Sequence, residues 1–409
     1  MKIVIIGAGV VGVTSAWYLT RDGHEVTVLE ARDGVALETS FGNAGGVCPG
    51  FAGPWAAPGM PLKAAGWMLR PSAPLKIRPR VSVAQWNWLA QFVAECTASR
   101  FARNKAEMQR VAHFSKACLV ALREETGIEY DHGTGGVLQV FRTAGEAAGG
   151  LRSACVLQKM GVVHRIVGPD EVLDLEPGLA RSDLSFTGGL QLSTDETGDC
   201  HLFCQSLAAL AERNGTRFRF GARVTGFRMA AGRVVAVWLG EEEIAADAVV
   251  MATGPWTDLL KPLGIRVPIY PVKGYSLTAE IVDFDSAPRS SVMDEHSKVM
   301  VTRLGTRLRA AGVAELAGFD RSMPAPVLNG LKATVARLFP GAARYEDATL
   351  WHGFRPMTPG GPSRVERTRY ANLYLNLGHG SNGWTQACGS GRILADLVAG
   401  RPSPLPAPS

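Results

Sequence analysis

Gly7, Gly9 and Gly12 stand in the spacing G-x-G-x-x-G, and Glu30 follows 18 positions after the last of them. Glycines at that spacing can bring a backbone close to a phosphate, and the acid can accept hydrogen bonds from ribose hydroxyls. Such chemistry needs elements to position it. Lys2–Ile6 (KIVII) is a short β-branched apolar run and predicts a buried parallel strand. Residues 13–21 carry helical spacing, with Ala16 and Leu19 on one face, and Asp22-Gly23-His24 ends that helix. Residues 25–30 (EVTVLE) predict a second strand that finishes on the acid. The order strand, glycine loop, helix, strand, acid predicts a dinucleotide site. Gly7 permits the tight turn, Gly9 admits a pyrophosphate, and Gly12 lets the helix pack on the strand. The helix N-terminus offers N–H groups and a positive dipole end to the phosphates. A carboxylate at Glu30 repels a 2′-phosphate and so disfavours NADP. The fingerprint leaves FAD and NAD both open.

The rest of the chain bounds the reading. At 409 residues, the length suggests two or three domains, or one large one with insertions. Apolar residues make up 46% and charged residues 20%, an ordinary globular balance that can bury a large core. Net charge is +6 with the basic residues scattered, so nucleic acid gains no support. Weak attraction to an anionic membrane surface stays open. The seven cysteines are widely spaced with no C-x-x-C pair, which argues against a metal site and predicts buried free thiols. The N-terminal run imitates an export signal, but the glycines inside it argue for the dinucleotide loop. No stretch of 18 apolar residues predicts a transmembrane helix.

Further elements follow from periodicity. Residues 39–50 form a small-residue loop, and 53–79 carry six prolines and little regular pattern. Residues 84–126 are strongly helical, with Val111, Phe114, Cys118 and Leu122 as the expected core stripe. Helices are expected at 153–160, 199–214 and 328–339. Strands are expected at 135–141, 218–220, 248–252, 268–279, 291–294, 299–302, 308–313 and 373–377. Residues 224–229, 234–239 and 243–246 resemble a three-stranded meander. A last helix is expected to run to Val398. Dinucleotide-type segments therefore lie at the start, near 200–260 and at the end, and other chain interrupts them.

The motifs GAGVVG (7–12), ETS (38–40), NAG (43–45), PWAAPGMP (54–61), GGLQLSTDETGDC (188–200), VPIYPVKGYSLT (267–278), GFRPMTP (353–359) and GHGSNGWTQACGSG (378–391) span nearly the whole chain. Together they resemble the FAD-dependent amine oxidoreductases of the D-amino-acid oxidase and glycine oxidase type. Within them the chain looks most like the bacterial D-amino acid dehydrogenase family, the small-subunit type. The resemblance implies an α/β fold: a Rossmann-type FAD-binding domain interleaved with a strand-rich α+β substrate (cap) domain. The first would take residues 1–50, 195–265 and 350–400, and the second 51–194 and 266–349. Residues 401–409 would be a mobile tail.

The cofactor set so implied is Ile6, Gly7, Ala8, Gly9, Val11 and Gly12 with Glu30, Ala31 and Arg32. Thr39, Ser40, Asn43, Ala44 and Gly45 would approach the flavin and pyrophosphate. Val224 would meet the adenine side, and Thr253 and Gly254 the dinucleotide. Gly378, His379, Gly380, Ser381, Gly383 and Trp384 would bring a helix N-terminus to the flavin N1/C2 edge, where reduced flavin is negative. Arg355 would clamp a substrate carboxylate with its planar fork. Tyr270 and Tyr275 would donate hydroxyls to the same carboxylate. His379 is a further catalytic candidate, although hydride transfer requires no base. Asp294-Glu295-His296 predicts a turn, and Cys388 on the last helix predicts packing.

The implied reaction is oxidation of a D-amino acid by hydride transfer from Cα to flavin N5, then hydrolysis of the imino acid to a 2-oxo acid and ammonium. Electrons would pass to a quinone or other respiratory acceptor. The setting would be cytoplasmic, with peripheral contact at the inner face of the membrane. A secondary amine (D-proline or hydroxyproline type), glycine, or a non-catalytic flavoprotein role are the alternatives. One departure stands out. The family pattern continues after RPMTP with Asp-Gly, whereas this chain reads Gly360-Gly361-Pro362 and carries Glu366 where a later glycine is expected. That loop normally passes close to the flavin ring, so flavin affinity or substrate choice is expected to differ.

Overall fold

The computed structural model describes residues 1–68, 74–79 and 81–405. Lys2–Ile6, Glu25–Leu29, Arg217–Arg219, Ala248–Met251 and Leu373–Leu377 pair in parallel, and Arg364–Arg367 closes one edge antiparallel. The central strands are buried on both faces, which is why their sequences are continuous apolar runs. The order places Lys2–Ile6 between Glu25–Leu29 and Ala248–Met251. Connections leave that strand in both directions, so a crevice opens at its C-terminal end, beside Gly7.

Each face of this sheet has its own cover. Helices Val10–Arg21, Cys200–Arg213 and Gly383–Val398 join Ile3, Ile5 and Val26 in one core. The three-stranded sheet Gly226–Ala230, Arg233–Leu239 and Glu242–Ala245 covers Val4, Ile6 and Leu29 on the other. Val10–Arg21 and Gly383–Val398 pack so closely that a Cβ at Gly391 would stand 3.0 Å from the Thr14 backbone.

The second large sheet has nine strands. Thr349–Met357, Tyr270–Glu280, Arg307–Leu316 and Val299–Leu304 are successive antiparallel neighbours. Ser291–Asp294, Val137–Phe141, Gly188–Leu192 and Arg165–Val167 complete the path, and Leu75–Ile77 pairs with Arg307–Leu316. Helix Ala325–Leu338 packs Leu331, Val335 and Leu338 against one side.

The strands expected at 135–141, 218–220, 248–252, 291–294 and 373–377 all stand within a residue or two of their expected positions. Several expectations need correction. Residues 53–79 hold a helix, Met60–Met68, and the strand Leu75–Ile77; residues 69–73 lie outside the described residues. The helix expected at 153–160 begins at Ala144, where Thr143 and Glu146 form a reciprocal cap. On helix Ala98–Thr126 the buried stripe is Met108, Ala112, Ser115, Leu119 and Leu122, while Val111, Phe114 and Cys118 are half-buried. The final helix presses there, and Ser115 Oγ accepts a hydrogen bond from Gly389 N at 2.9 Å. Leu119 and Leu122 belong to the core of the parallel sheet, so this helix does not belong with the cap as the division at 51–194 expects. The boundary at 350 falls inside Thr349–Met357, a strand of the larger sheet. The tail is anchored at its start, because Arg401 Nε donates to Asp396 Oδ1 at 2.6 Å and its guanidinium also pairs with Asp22. Residues 406–409 lie outside the described residues. All seven thiols are free; Cys155 is exposed and Cys96 and Cys118 half-buried, so burial holds for Cys48, Cys200, Cys204 and Cys388 alone.

Candidate active site

A cavity of about 1690 Å³ runs from the end of the first parallel strand to the face of the larger sheet. It exceeds the ordinary size of a single small-ligand pocket, and suits a dinucleotide plus a substrate. All the expected cofactor residues line it except Ala8, Gly12, Gly45 and Gly378.

The glycine loop differs residue by residue. Gly7 has φ +105° and donates to Leu29 O at 2.8 Å. A Cβ at Gly12 would stand 1.9 Å from Gly7 O, so the turn closes only on glycine. Gly9 is unlike both: its Cβ would meet nothing nearer than Ser40 Oγ at 3.6 Å. The space over Gly9 is open to the cavity and fits a pyrophosphate. Glu30 is held ready at the rim, its Oε2 accepting from Ala8 N at 2.7 Å and its Oε1 from Arg32 N at 2.8 Å. Ser40 Oγ accepts from Val10 N at 3.1 Å, and Thr39 Oγ1 donates to Phe354 O at 2.7 Å. The 39–50 loop thus ties the glycine loop to the strand that carries Arg355.

Helices Val10–Arg21 and Gly383–Val398 both begin at the cavity, and neither N-cap residue supplies a side-chain cap, although Ser40 Oγ already takes Val10 N. Uncapped N–H groups there favour negative oxygens. His379 and Trp384 are buried at the second helix start, and His379 Nε2 and Trp384 Nε1 have no partner among the described residues. Burial pushes the His379 imidazole down to about 4, so it is uncharged at neutral pH. Open space over Gly9, two helix starts at the cavity and unpartnered ring nitrogens fit FAD.

Arg355 faces the cavity from Thr349–Met357. Its Nη1 donates to Val313 O at 3.1 Å and to Lys273 O at 3.4 Å. Burial pushes it down to about 10, and no neighbouring carboxylate offsets that. A Cβ at Gly274 would stand 2.3 Å from Nη1, so glycine makes the room for the guanidinium. The Trp55 ring lies 5.9 Å from Cζ. A half-buried cation with no anion among the described residues is costly, and here it borders open space.

The two tyrosine hydroxyls are held by the protein. Tyr270 lies outside the cavity wall, accepts from Gly318 N at 2.9 Å and packs on Trp88. Tyr275 borders the cavity, but its ring is buried with Leu277 in the core and its hydroxyl donates to Glu315 Oε2 at 2.5 Å. Burial, then the Glu315 charge, pushes that phenol well above its ordinary range. Lys273 Nζ joins the same carboxylate at 3.1 Å and Asp320 at 2.9 Å. Asp294-Glu295-His296 lies where a strand passes into a turn, and Cys388 is packed in the core.

The loop at 360–366 does not line the cavity. Gly360 O accepts from Asn104 Nδ2 at 3.0 Å, and a Cβ at Gly361 would lie 2.7 Å from Met108 Sδ. The expectation of flavin contact is corrected: this loop packs beneath helix Ala98–Thr126. Glu366 pairs with Arg364 on an exposed edge strand. Sequence reasoning did not single out Val313, Gly274, Trp55 or Trp88. The motifs PWAAPGMP and VPIYPVKGYSLT contained Trp55 and Gly274, each without a role.

The profile of the family described as "FAD dependent oxidoreductase" matches residues 2–397. The chain is 50% identical over 403 residues to a D-amino acid dehydrogenase of Methylobacterium sp. (strain 4-46), covering 98% of this chain and 96% of that protein. The fold is similar to glycine oxidase from Bacillus cereus ATCC 14579, with TM-score 0.74 and 22% identity over 98% of this chain and 95% of that one. It is also similar to L-proline dehydrogenase from P. horikoshii, with TM-score 0.77 and 19% identity over 99% and 95%.

Proposed function

The chain belongs to the family of FAD-dependent oxidoreductases, and from that premise we propose that it oxidises D-amino acids to 2-oxo acids and ammonium. The observation that carries the reading is Arg355: a half-buried guanidinium without a carboxylate partner among the described residues, in the same cavity as the open space over Gly9. The 50% identical relative named a D-amino acid dehydrogenase supports the substrate class.

FAD would lie along Gly7, Gly9, Glu30 and Ser40 and end at His379–Trp384, and when bound it supplies the two-electron acceptor for the hydrogen leaving Cα. The chain's own residues do the rest. Arg355 binds the carboxylate on the side of its fork left free by the Val313 and Lys273 carbonyls. Apolar walls beside it favour the neutral amine over the ammonium. His379 stays uncharged and offers one ring donor and one acceptor. The imino acid then hydrolyses in water.

The electron acceptor in this reading is a quinone or another respiratory carrier. Among the described residues no helix is long and apolar enough to cross a membrane. Peripheral contact at the inner membrane face from the cytoplasm is supported by exposed Leu62, Val83, Trp86 and Val93, which stand on the cavity-lining helices Met60–Met68 and Val83–Glu95. The test is product analysis of the FAD-loaded protein with a soluble quinone or with oxygen. The proposal expects a 2-oxo acid and ammonium in equal amounts from D- but not L-amino acids, and faster turnover with the quinone. Turnover of glycine or proline alone would contradict the substrate class, and faster turnover with oxygen the acceptor.

A further inference from the structure

Behind the loop that brings Asn43 and Ala44 to the cavity stands a buried ion pair, Arg309 with Asp199, and neither residue lines the cavity. Arg309 lies in strand Arg307–Leu316. Its Nη2 donates to Asp199 Oδ2 at 3.2 Å and its Nε to Thr278 Oγ1 at 3.0 Å. Its Nη1 donates to Asp199 Oδ1 and to the carbonyl oxygens of Phe41 and Asn43, each at 3.4 Å. Asp199 is fixed in turn. It caps helix Cys200–Arg213 through His201 N at 2.9 Å and takes Arg307 Nη2 at 2.9 Å. A buried ion pair gains little stability over apolar residues of similar volume. Its worth therefore lies in what it holds.

What it holds is the orientation of two peptides. The peptide bonds of this loop are trans, and in a trans peptide the N–H points opposite to the C=O. With the Phe41 and Asn43 carbonyls turned onto Arg309, the N–H groups of Gly42 and Ala44 point away from it. Gly42 and Ala44 both line the cavity, and neither N–H has a partner among the described residues. Gly42 is buried, where an unpaired donor is costly. The loop is pressed into place: a Cβ at Gly42 would lie 2.2 Å from Trp351 Cε3, and Gly45 O accepts from Gly198 N at 2.8 Å. We infer that Arg309 is a positioning residue that aims the Gly42 and Ala44 N–H groups at the flavin of bound FAD and so raises its reduction potential. Fixed donors there favour the reduced ring, which carries more negative charge than the oxidised one. The inference rests on FAD in this cavity and not on a D-amino acid as substrate.

The test is a redox titration of the FAD-loaded protein against dyes of known potential, with no amino acid present. Arg309→Lys keeps the charge that faces Asp199 but has no fork to span two carbonyls. Its flavin potential is expected to fall by about 30 mV, which corresponds to a tenfold loss of affinity for reduced over oxidised FAD. Because the charge is kept, such a fall reports the orientation of the loop. Asp131→Asn is the control. It removes the other carboxylate partner of Arg307, at 2.7 Å, without touching Arg309. Its potential should match the parent's whatever its melting point. Should Arg309→Lys not fold, Arg309→Met combined with Asp199→Asn removes both charges together and is expected to show a fall in the same direction. A parental potential in a folded Arg309 variant overturns the inference, as does an equal fall in Asp131→Asn. A fall in the Arg309 variant alone, with no bleaching of the parent by any D-amino acid, supports this role and contradicts the substrate reading.

Discussion

The carbonyl oxygen of Val313 accepts a hydrogen bond from Arg355 Nη1 at 3.1 Å, and Val313 has φ +56°. A β-branched residue in the left-handed region is strained by about 1–3 kcal/mol. The neighbouring strand is irregular at the same place, its register shifting between Lys273 and Tyr275. This bulge turns two carbonyls, those of Val313 and Lys273, onto one guanidinium. The strain thus sits where it holds Arg355 in place.

Val313→Gly should keep the carbonyl where it is, because glycine adopts positive φ freely. The expected result is a gain of about 1 kcal/mol in stability and a KM for D-amino acids within twofold of the parent. Denaturant melts and steady-state kinetics check this. A large rise in KM with unchanged kcat would show that the Val313 side chain itself shapes the site.

Gly9 and Gly12 should separate cofactor binding from folding. Gly12→Ala forces a Cβ into Gly7 O and should prevent the fold from forming. Gly9→Ala meets nothing nearer than Ser40 Oγ at 3.6 Å and should leave the melting point of the FAD-free protein unchanged. Its FAD affinity should fall by about a hundredfold, measured by fluorescence titration, since the methyl takes the pyrophosphate's place. An unchanged FAD affinity would move the phosphates elsewhere.

Asp195 predicts a pH effect. Burial pushes its carboxyl up to about 7, partly opposed by the Gly50 amide and Lys116. An unfolded aspartate titrates near 3.9. Between these values the folded chain holds a proton that the unfolded chain has lost, so this group's contribution to stability falls as pH rises through the window. Asp195→Asn should therefore stabilise the protein on the order of 3 kcal/mol at pH 8 and much less at pH 4. Melting curves at the two pH values decide it; an equal shift at both would contradict the assignment.

Gly360→Asp restores the acid expected of the family pattern. Here its Cβ would lie 3.2 Å from Glu95 Oε2, so two carboxylates would crowd. The substitution should lower the melting point and leave the flavin reduction rate unaltered. A changed reduction rate with an intact melting point would place the loop at the flavin after all.

What could be read from the sequence was local. The strand, glycine loop, helix, strand and Glu30 follow from neighbours within thirty positions, and each took its expected place. What escaped was set across the chain. The hydroxyls of Tyr270 and Tyr275 are held by Gly318 and Glu315, far along the sequence. The bulge at Val313 exists only once two distant strands pair. The buried stripe of Ala98–Thr126 includes Ala112 and Ser115, because close packing against Gly389 selects small residues where periodicity of bulk points to Val111 and Phe114. Helix Met60–Met68 was hidden by the prolines around it, although Pro61 stands in its first turn, where proline is tolerated.

The central claim is that a carboxylate held by Arg355 brings a D-amino acid to FAD. The most direct measurement is the anaerobic absorption spectrum of the FAD-loaded protein during addition of D- and then L-phenylalanine, repeated with Arg355→Ala. The account predicts bleaching by the D-enantiomer alone in the parent. In the variant it predicts a hundredfold or greater rise in the concentration required, with FAD still bound. Bleaching of the variant at the parent's concentration, or bleaching by both enantiomers alike, would contradict it.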